Sequence, residues 1–243
     1  NTGNANIKLD NAHDLTQLKA INDATAGSIT FNDASVKLAG SVADVGAALA
    51  GVTGYTGEID LTDAAGDLSA TSITAIADAT NKTPVITKTP NIKGNAADVV
   101  TALGKITNTG NANIKLDNAH DLTQLQTINN ATTGSITFND ASVKLSGTTA
   151  VVSQALAGVT GYTGEVDLTD STGTLSATVI EAIADSTNKK PQIINQITVE
   201  GKSADLDSMQ AKVTNIGNYN MTLTDNHKLG ELQNINNATA GTV

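Results

Sequence analysis

Apolar residues recur along this chain at three- and four-residue steps, in short runs that polar segments separate. The runs are Leu15, Leu18 and Ile21; Val42, Val45 and Leu49; Ile73 and Ile76; and Val99, Val100 and Leu103. Such spacing places the apolar side chains on one face of an α-helix. The chain is therefore predicted to form short helices, each of which buries a single stripe.

Short segments with β-branched residues and polar alternates lie between these runs. The clearest are residues 6–10, 28–31, 58–63 and 85–89, and weaker ones occupy 35–38 and 91–94. Segments of this length and pattern are typical of half-buried strands. Because strands and helices alternate regularly, we predict an α/β fold in which helical crossovers join parallel strands.

The predicted helices carry signals at both ends. Asp14, Ser41 and Asn95 are each followed three residues later by Gln or Asp, so a side-chain oxygen is available to cap the first helical turn. Glycine or asparagine stands near each predicted end, where we expect the left-handed conformation that closes many helices. These residues, spaced by 27, are Gly27, Gly54, Asn81 and Asn108.

The chain repeats itself at several scales. Residues 1–18 return unchanged as 108–125, so the largest period runs from Asn1 to Asn108. Similar phrases divide each copy into two half-units of nearly equal length. These phrases begin at Gly40, Gly94, Gly147 and Gly201. We therefore divide the chain into copy 1 (1–107), copy 2 (108–214) and a partial copy 3 (215–243) of one continuous array.

The step between the predicted helix ends is similar to the roughly 20–29 residues of leucine-rich-repeat coils. It predicts a repeat solenoid of ~27-residue strand–helix coils, with a mainly parallel sheet on one side and short helices on the other. A single coil of this size cannot bury its apolar face, whereas stacked coils bury it for one another. Stability is therefore expected to grow with the number of copies.

Charge and composition narrow the classes of partner. The formal net charge is −10 and all fourteen basic residues are lysines, so the chain lacks the arginines that usually bind phosphate. We therefore expect no nucleic-acid partner. No run approaches the ~18 apolar residues of a transmembrane helix, so we expect no membrane insertion. The chain contains no cysteine, which excludes disulfides and thiolate chemistry.

His13, His120 and His227 occupy the same position of the three copies. In a linear stack they would lie several coils apart, so they are predicted to serve in loops before helix caps rather than in a shared catalytic site. The glycines at 51, 54 and 57 are not followed by the GK[ST] sequence of a phosphate loop, and no GxSxG motif occurs. We therefore predict no enzymatic activity, no catalytic residue and no cofactor-binding residue.

Two acidic segments offer oxygen atoms that calcium could use as ligands. The candidates are Asp10, Asn11 and Asp14 in the first segment and Asp60, Asp63 and Asp67 in the second. In later copies Thr174 stands at the position of Asp67 and Lys228 at that of Asp14, so the possible ligands are not kept between copies. This difference favours a role for the acidic residues in helix caps and turns. Calcium therefore stays an alternative, and no other cofactor is expected.

Four phrases of the chain are similar to a known class of repeats. They are Leu18–Gly27, Gly40–Leu49, Gly94–Leu103 and Leu125–Gly134. They resemble the tandem repeats of giant secreted or cell-surface proteins of marine cyanobacteria and related bacteria. The resemblance covers essentially the whole chain and departs from the pattern at Val151 and at 207–213. It implies a role in extracellular matrix, adhesion or a surface layer, without a known active site.

Together these observations predict a non-catalytic structural or adhesive repeat segment of a large extracellular bacterial surface protein or filament. Its expected partners are neighbouring repeats or copies of itself, with surface glycans as further candidates. The alternative that the sequence leaves open is an adhesin module that calcium rigidifies or that binds glycans.

Overall fold

The structure, a computed structural model, describes residues 3–10, 13–118, 120–216 and 218–243. It is an α/β fold in which short helices and short strands alternate, as predicted. The helices are α1 (Leu15–Ala24), α2 (Val42–Ala48), α3 (Ala70–Ala79), α4 (Ala96–Lys105), α5 (Leu122–Ala131), α6 (Thr149–Ala155), α7 (Ala177–Ser186), α8 (Ser203–Lys212) and α9 (Leu229–Ala238). The strands are β1 (Ile7–Leu9), β2 (Ile29–Phe31), β3 (Leu38–Gly40), β4 (Ile59–Leu61), β5 (Asp67–Ser69), β6 (Val85–Ile86), β7 (Asn91–Gly94), β8 (Thr107–Asn108), β9 (Asn113–Leu116), β10 (Ile136–Phe138), β11 (Leu145–Gly147), β12 (Val166–Leu168), β13 (Thr174–Ser176), β14 (Gln192–Ile193), β15 (Thr198–Gly201), β16 (Thr214–Asn215) and β17 (Asn220–Leu223).

The chain divides into two compact units. Unit 1 comprises Asn1–Asn118 and Ala131–Thr137, and unit 2 comprises Ala119–Asn130 and Phe138–Val243. Unit 1 contains the strand orders β1-β2 and β3-β4-β6-β8, together with β5-β7-β9 and the start of β10. Unit 2 contains the orders β11-β12-β14-β16 and β13-β15-β17.

The strand pairs described within these sheets are parallel, and each joins segments one helix apart. Leu38 pairs with Ile59 across α2, and Asp60 pairs with Val85 across α3. The corresponding pairs in unit 2 keep the same separations in sequence. We call the stretch from a strand residue to its partner, which contains one helix, a coil. Side-chain contacts over a similar sequence separation therefore join adjacent coils.

Successive helices begin at regular intervals, as at Leu15, Val42, Ala70 and Ala96, which confirms the predicted spacing of about 27. The ~27-residue coil was predicted to hold one strand and one helix, but two strands lie between each two successive helices of the described chain. The strands of copy 1 that were missed are β5, which has three residues, and β8, which has two. Such short segments carry no alternation of their own, and the backbone of the neighbouring coil holds them in place.

The predicted helix starts are confirmed. Asp14 accepts a hydrogen bond from the Gln17 backbone N–H at 2.7 Å, and the Gln17 side chain accepts one from the Asp14 N–H at 3.0 Å. Ser41 and Asn95 begin α2 and α4 in the same way, with the backbone N–H three residues later as donor. These side chains satisfy N–H groups that have no partner within the helix.

The predicted left-handed ends were wrong for α1, α3 and α4, which close with extended backbone at Thr25, Thr80 and Ile106. The chain leaves these helices directly into contact with the neighbouring coil, as where Thr25 pairs with Gly3. Gly27 is needed for a different reason. A Cβ there would lie 2.2 Å from the Ala5 carbonyl oxygen, so only glycine lets the two backbones approach.

The core consists mainly of aliphatic side chains, with a few buried aromatic rings. Leu18, Leu38 and Val45 are fully buried in unit 1, and Tyr55 is buried with them. Within unit 1, α1 packs on α2, α2 on α3 and α3 on α4, and within unit 2, α6, α7, α8 and α9 pack in the same sequential manner. Apolar burial in each unit therefore depends on contacts between successive coils.

Candidate functional site

The candidate calcium ligands of the first acidic segment serve as local acceptors. Asp10 accepts a hydrogen bond from the Asn32 side-chain amide at 2.7 Å, and Asp14 is the cap of α1. Asn11 lies outside the residues that the structure describes. The expected cap is confirmed at Asp14, whereas Asp10 contacts a side chain of the next coil.

The second acidic segment also distributes its carboxylates among separate partners. Asp60 pairs with Lys37 at 2.8 Å, and Asp67 accepts from the Asn91 amide at 2.8 Å and from Lys115 at 3.1 Å. The hydrogen bond from Asn91 and the nearby Lys115 hold the pKa of Asp67 below its usual range. Across the described ranges, no three His, Cys, Asp or Glu side chains are grouped so that they could hold a metal ion.

Asp63 caps a helix other than the one that follows it. Its Oδ2 accepts a hydrogen bond from the Val42 N–H, the first residue of α2, at 2.8 Å. In copy 2, Asp170 accepts from the Thr149 N–H of α6 at 2.7 Å over the same sequence separation. A carboxylate near a helix N-terminus also interacts favourably with the helix dipole. The start of each of these helices is therefore completed by a side chain from one coil later.

The ends of the same two helices are completed by asparagines from one coil earlier. The Asn22 amide on α1 donates to the Ala48 carbonyl at 2.9 Å and to the Ala50 carbonyl at 2.7 Å. Asn129 on α5 makes the equivalent bonds to Ala155 and Ala157, at 3.0 and 2.7 Å. These carbonyls lie at helix ends, where the helix itself supplies no donor. Asparagine was not predicted to act in this way.

The histidines of copies 1 and 2 belong to buried aromatic clusters. His13 lies immediately before the α1 cap, as predicted, but the residue is only 6% exposed. The ring lies 5.1 Å from that of Phe31 and 5.8 Å from that of Tyr55, measured between centroids. We call His13, Phe31 and Tyr55 clasp 1. The equivalent His120, Phe138 and Tyr162 form clasp 2.

The hydrogen bonds of clasp 1 fix where one histidine proton lies. The Tyr55 hydroxyl donates to the Val36 carbonyl at 2.7 Å, so its only proton is used there. His13 Nε2 lies 2.9 Å from the same hydroxyl oxygen and must therefore be the donor. Burial, followed by the nearby Asp33 charge, raises the pKa of Tyr55 to about 12. The tyrosine consequently stays neutral and able to donate at ordinary pH.

Clasp 2 repeats this arrangement. Tyr162 donates to the Val143 carbonyl at 2.7 Å, and His120 Nε2 lies 2.8 Å from the hydroxyl oxygen. Burial and the charge of Asp140 raise the pKa of Tyr162. In copy 3, His227 is exposed, and the positions equivalent to Phe138 and Tyr162 fall beyond Val243. The histidine and tyrosine of each clasp are separated in sequence by about two coils.

Sequence reasoning missed the burial of these histidines, although a signal was present. The chain has five Phe and Tyr residues, and four of them keep a constant offset from the histidine of their own copy. They are Phe31 and Tyr55 in copy 1 and Phe138 and Tyr162 in copy 2. Aromatic residues that are so scarce, yet aligned with a histidine, indicate a shared buried cluster.

Comparisons with known proteins give no family assignment. The chain matches no protein-family model, no curated protein and no solved structure. Within the described ranges, no helix is both long and apolar enough to cross a bilayer.

Proposed function

We propose that this chain is a non-catalytic structural segment of a large extracellular bacterial surface protein or filament. In this proposal its strand–helix coils stack into a solenoid, with a mainly parallel sheet on one side and short helices on the other. Copies 1–107, 108–214 and 215–243 then contribute to one continuous array. Its first partners are neighbouring repeats or further copies of itself.

The observation that carries the proposal is the exchange of polar contacts between coils. Asp63 and Asn22, from different coils, satisfy the start and the end of α2, and Asp170 and Asn129 do the same for α6. Asp63, one of the candidate calcium ligands, is therefore engaged in holding one coil to the next. Such mutual completion is what a repeat array requires, because no coil is stable alone.

Ion pairs between neighbouring helices support the same reading. Lys19 of α1 pairs with Asp44 of α2 at 2.6 Å, and Lys212 of α8 pairs with Asp185 of α7 at 2.7 Å. Lys105 of α4 pairs with Asp78 of α3. These exposed pairs contribute little stability one by one. Their regular placement nevertheless favours one register between helices.

The test is to change the number of copies. A chain lengthened by a second copy of residues 108–214, inserted after Thr214, should show a higher urea midpoint than the chain without the insertion. Its maximum dimension in small-angle scattering should also increase by a fixed increment for each added copy. A control chain with a flexible Gly/Ser linker between the added copies breaks the coil contacts and should show no gain. Equal midpoints for all three chains would contradict the proposal.

An alternative is an adhesin module that calcium rigidifies or that binds glycans. The feature in its favour is a polar cleft in unit 1 whose lining includes Asp67, Lys93, Asn95, Asp98 and Asp117. Two of these carboxylates already face lysines, since Asp67 lies 3.1 Å from Lys115 and Asp117 lies 3.6 Å from Lys93. Melting curves with calcium and with chelator separate the two functions. An upward shift in calcium would favour the alternative.

A further inference from the structure

We propose that α9 carries a docking surface for part of a second polypeptide of the same repeat, namely the stretch with the sequence of residues 137–168. The proposal rests on the proposed function, since it takes neighbouring repeats as partners, and it adds which surface receives which repeat. We call residues 137–168, which contain β11, α6 and β12, the α6 segment. We call His227, Leu229, Leu232, Gln233 and Asn236 the α9 face.

α9 is the third helix of one series in the chain. Residues of the same types stand one period earlier, in or just before α5, which is followed by the α6 segment. The pairs are His120 and His227, Leu122 and Leu229, Leu125 and Leu232, Gln126 and Gln233, and Asn129 and Asn236. α9 is the last helix that the structure describes. The contacts between α5 and the α6 segment therefore show what fits the α9 face.

The leucines of this face are more exposed on α9 than on α5. Leu125 is fully buried, and the Leu122 Cδ2 methyl lies 2.5 Å from the place where a Cβ of Gly147, in the α6 segment, would be. Leu229 is 74% exposed and Leu232 is half-buried, although α9 already packs on α8. Docking of the α6 segment would remove these apolar side chains from water, which favours association.

One amide of the α9 face sets the register of docking. Asn129 donates to the Ala155 and Ala157 carbonyls at the end of α6, where the helix has no donor of its own. Asn236 is exposed on α9 and offers the same amide. An α6 segment bound to α9 as α6 is bound to α5 would receive both hydrogen bonds.

A second polar contact favours the α6 segment over its counterpart in copy 1. In copy 1, Lys19 of α1 pairs with Asp44 of α2. In copy 2, Gln126 of α5 donates to Gln154 of α6. α9 has a glutamine at this position, Gln233, which matches Gln154 and offers no charge to an aspartate. The preferred partner is consequently the repeat that carries residues 137–168.

His227 reports directly on docking. Its counterpart His120 lies 5.0 Å from Phe138 and 5.7 Å from Tyr162, measured between ring centroids, and is buried. The α6 segment carries both of these aromatic residues, whereas His227 is exposed. A segment bound in the arrangement of clasp 2 would therefore bury His227 beside Phe138 and Tyr162.

The test is to add a synthetic peptide of residues 137–168 to the intact chain. Diethyl pyrocarbonate modifies exposed histidines, and mass spectrometry gives the rate at each ring. The rate at His227 should fall about tenfold with the peptide at about ten times its dissociation constant. A peptide of residues 191–222, which has equal length and contains α8, should not protect His227. No protection by ~1 mM of the first peptide, or equal protection by both, overturns the proposal.

Two positions of the α9 face provide variants of the intact chain. Leu229→Asp removes an apolar contact and Asn236→Ala removes the shared amide, so each should raise the peptide concentration needed for protection by about tenfold. Both residues are exposed, and circular dichroism checks that the variants fold. Asn237→Ala, at the next exposed residue, is the matched control and should leave protection unchanged. Unchanged protection in both face variants overturns the proposal.

A lengthened chain separates the failure of this proposal from that of the proposed function. Residues 137–168 appended directly after Val243 continue the order of the repeat, because Val243 stands at the position of Ile136. If the appended copy protects His227 and the peptide does not, coils stack only within one chain, so docking is overturned while the array stands. Protection by both supports both proposals. If neither protects His227, docking is overturned and the copy-number experiment decides the array.

Discussion

Single residues in this protein often serve a coil other than their own. Tyr55 illustrates this, because its hydroxyl accepts from His13 and donates to Val36 while its ring fills the core. Gly57 illustrates it in another way, since the absent side chain lets the Val36 backbone come close. At this scale, the atoms that matter most for packing are those in contact with a neighbouring coil.

Tyr55→Phe removes the shared hydroxyl and keeps the ring. The Val36 carbonyl and the His13 N–H then lose a partner in a buried place, so we expect a loss of ~1–3 kcal/mol in the free energy of unfolding. Urea denaturation followed by circular dichroism measures it. Tyr162→Phe should lose a similar amount, because Tyr162 makes the same bonds. Substitutions at ordinary surface sites change the free energy of unfolding by less than ~0.5 kcal/mol. Losses that small in both variants would contradict the hydrogen bonds described for the two clasps.

Gly57→Ala should destabilise unit 1 through a steric clash. A Cβ at Gly57 would lie 2.0 Å from the Val36 carbonyl oxygen, so the two coils must move apart, at a cost of ~1–3 kcal/mol. Gly104→Ala is the matched control in the same unit. A Cβ at Gly104, inside α4, meets nothing within 4 Å, and this change should add ~0.5–1 kcal/mol. Thermal melting should show a lower midpoint for Gly57→Ala and a higher midpoint for Gly104→Ala than for the unaltered chain.

At the scale of elements, the two seven-residue helices α2 and α6 show most clearly that an element depends on contacts with neighbouring coils. Helices of this length are unstable in isolation. In the protein their first N–H groups and last carbonyls are satisfied by Asp and Asn from adjacent coils. Their stability is therefore a property of the contact between coils.

Asn129→Ala removes the donor at the end of α6 and leaves the Ala155 and Ala157 carbonyls without it. We expect a loss of ~1–3 kcal/mol, partly reduced by the higher helix propensity of alanine. Asn130→Ala is the control, because Asn130 is the next residue of α5, is exposed and gains the same propensity. If the two variants unfold at the same urea concentration, the amide contributes nothing at the end of α6.

The elements also show how far the sequence predicts this structure. Helix positions and starts were predictable because the apolar spacing and the caps at Asp14 and Asn95 are local signals. The two-residue strand β8 was not, because its pairing with β6 depends on another coil. The same holds for His13, whose position was predictable but whose burial requires Phe31 and Tyr55.

At the scale of the whole molecule, each unit is built from coils that contact their neighbours in order. Local helix signals and parallel pairing over one coil were therefore enough to predict the α/β class. The acidic segments suggested calcium because composition alone does not distinguish a ligand from a cap. Asp63 and Asp14 are caps in the structure, one for a helix in another coil and one for its own.

The exchange of caps between coils has a consequence for how such a chain can change in length. Every donor and acceptor in this exchange keeps the same offset in copies 1 and 2, as with Asn22 and Ala48 or Asn129 and Ala155. Gain or loss of one whole period, such as 108–214, leaves all of these partners matched. An insertion or deletion of a few residues inside a coil would separate them on both sides. Recombination between near-identical repeats is thus the form of genetic variation that this architecture tolerates best.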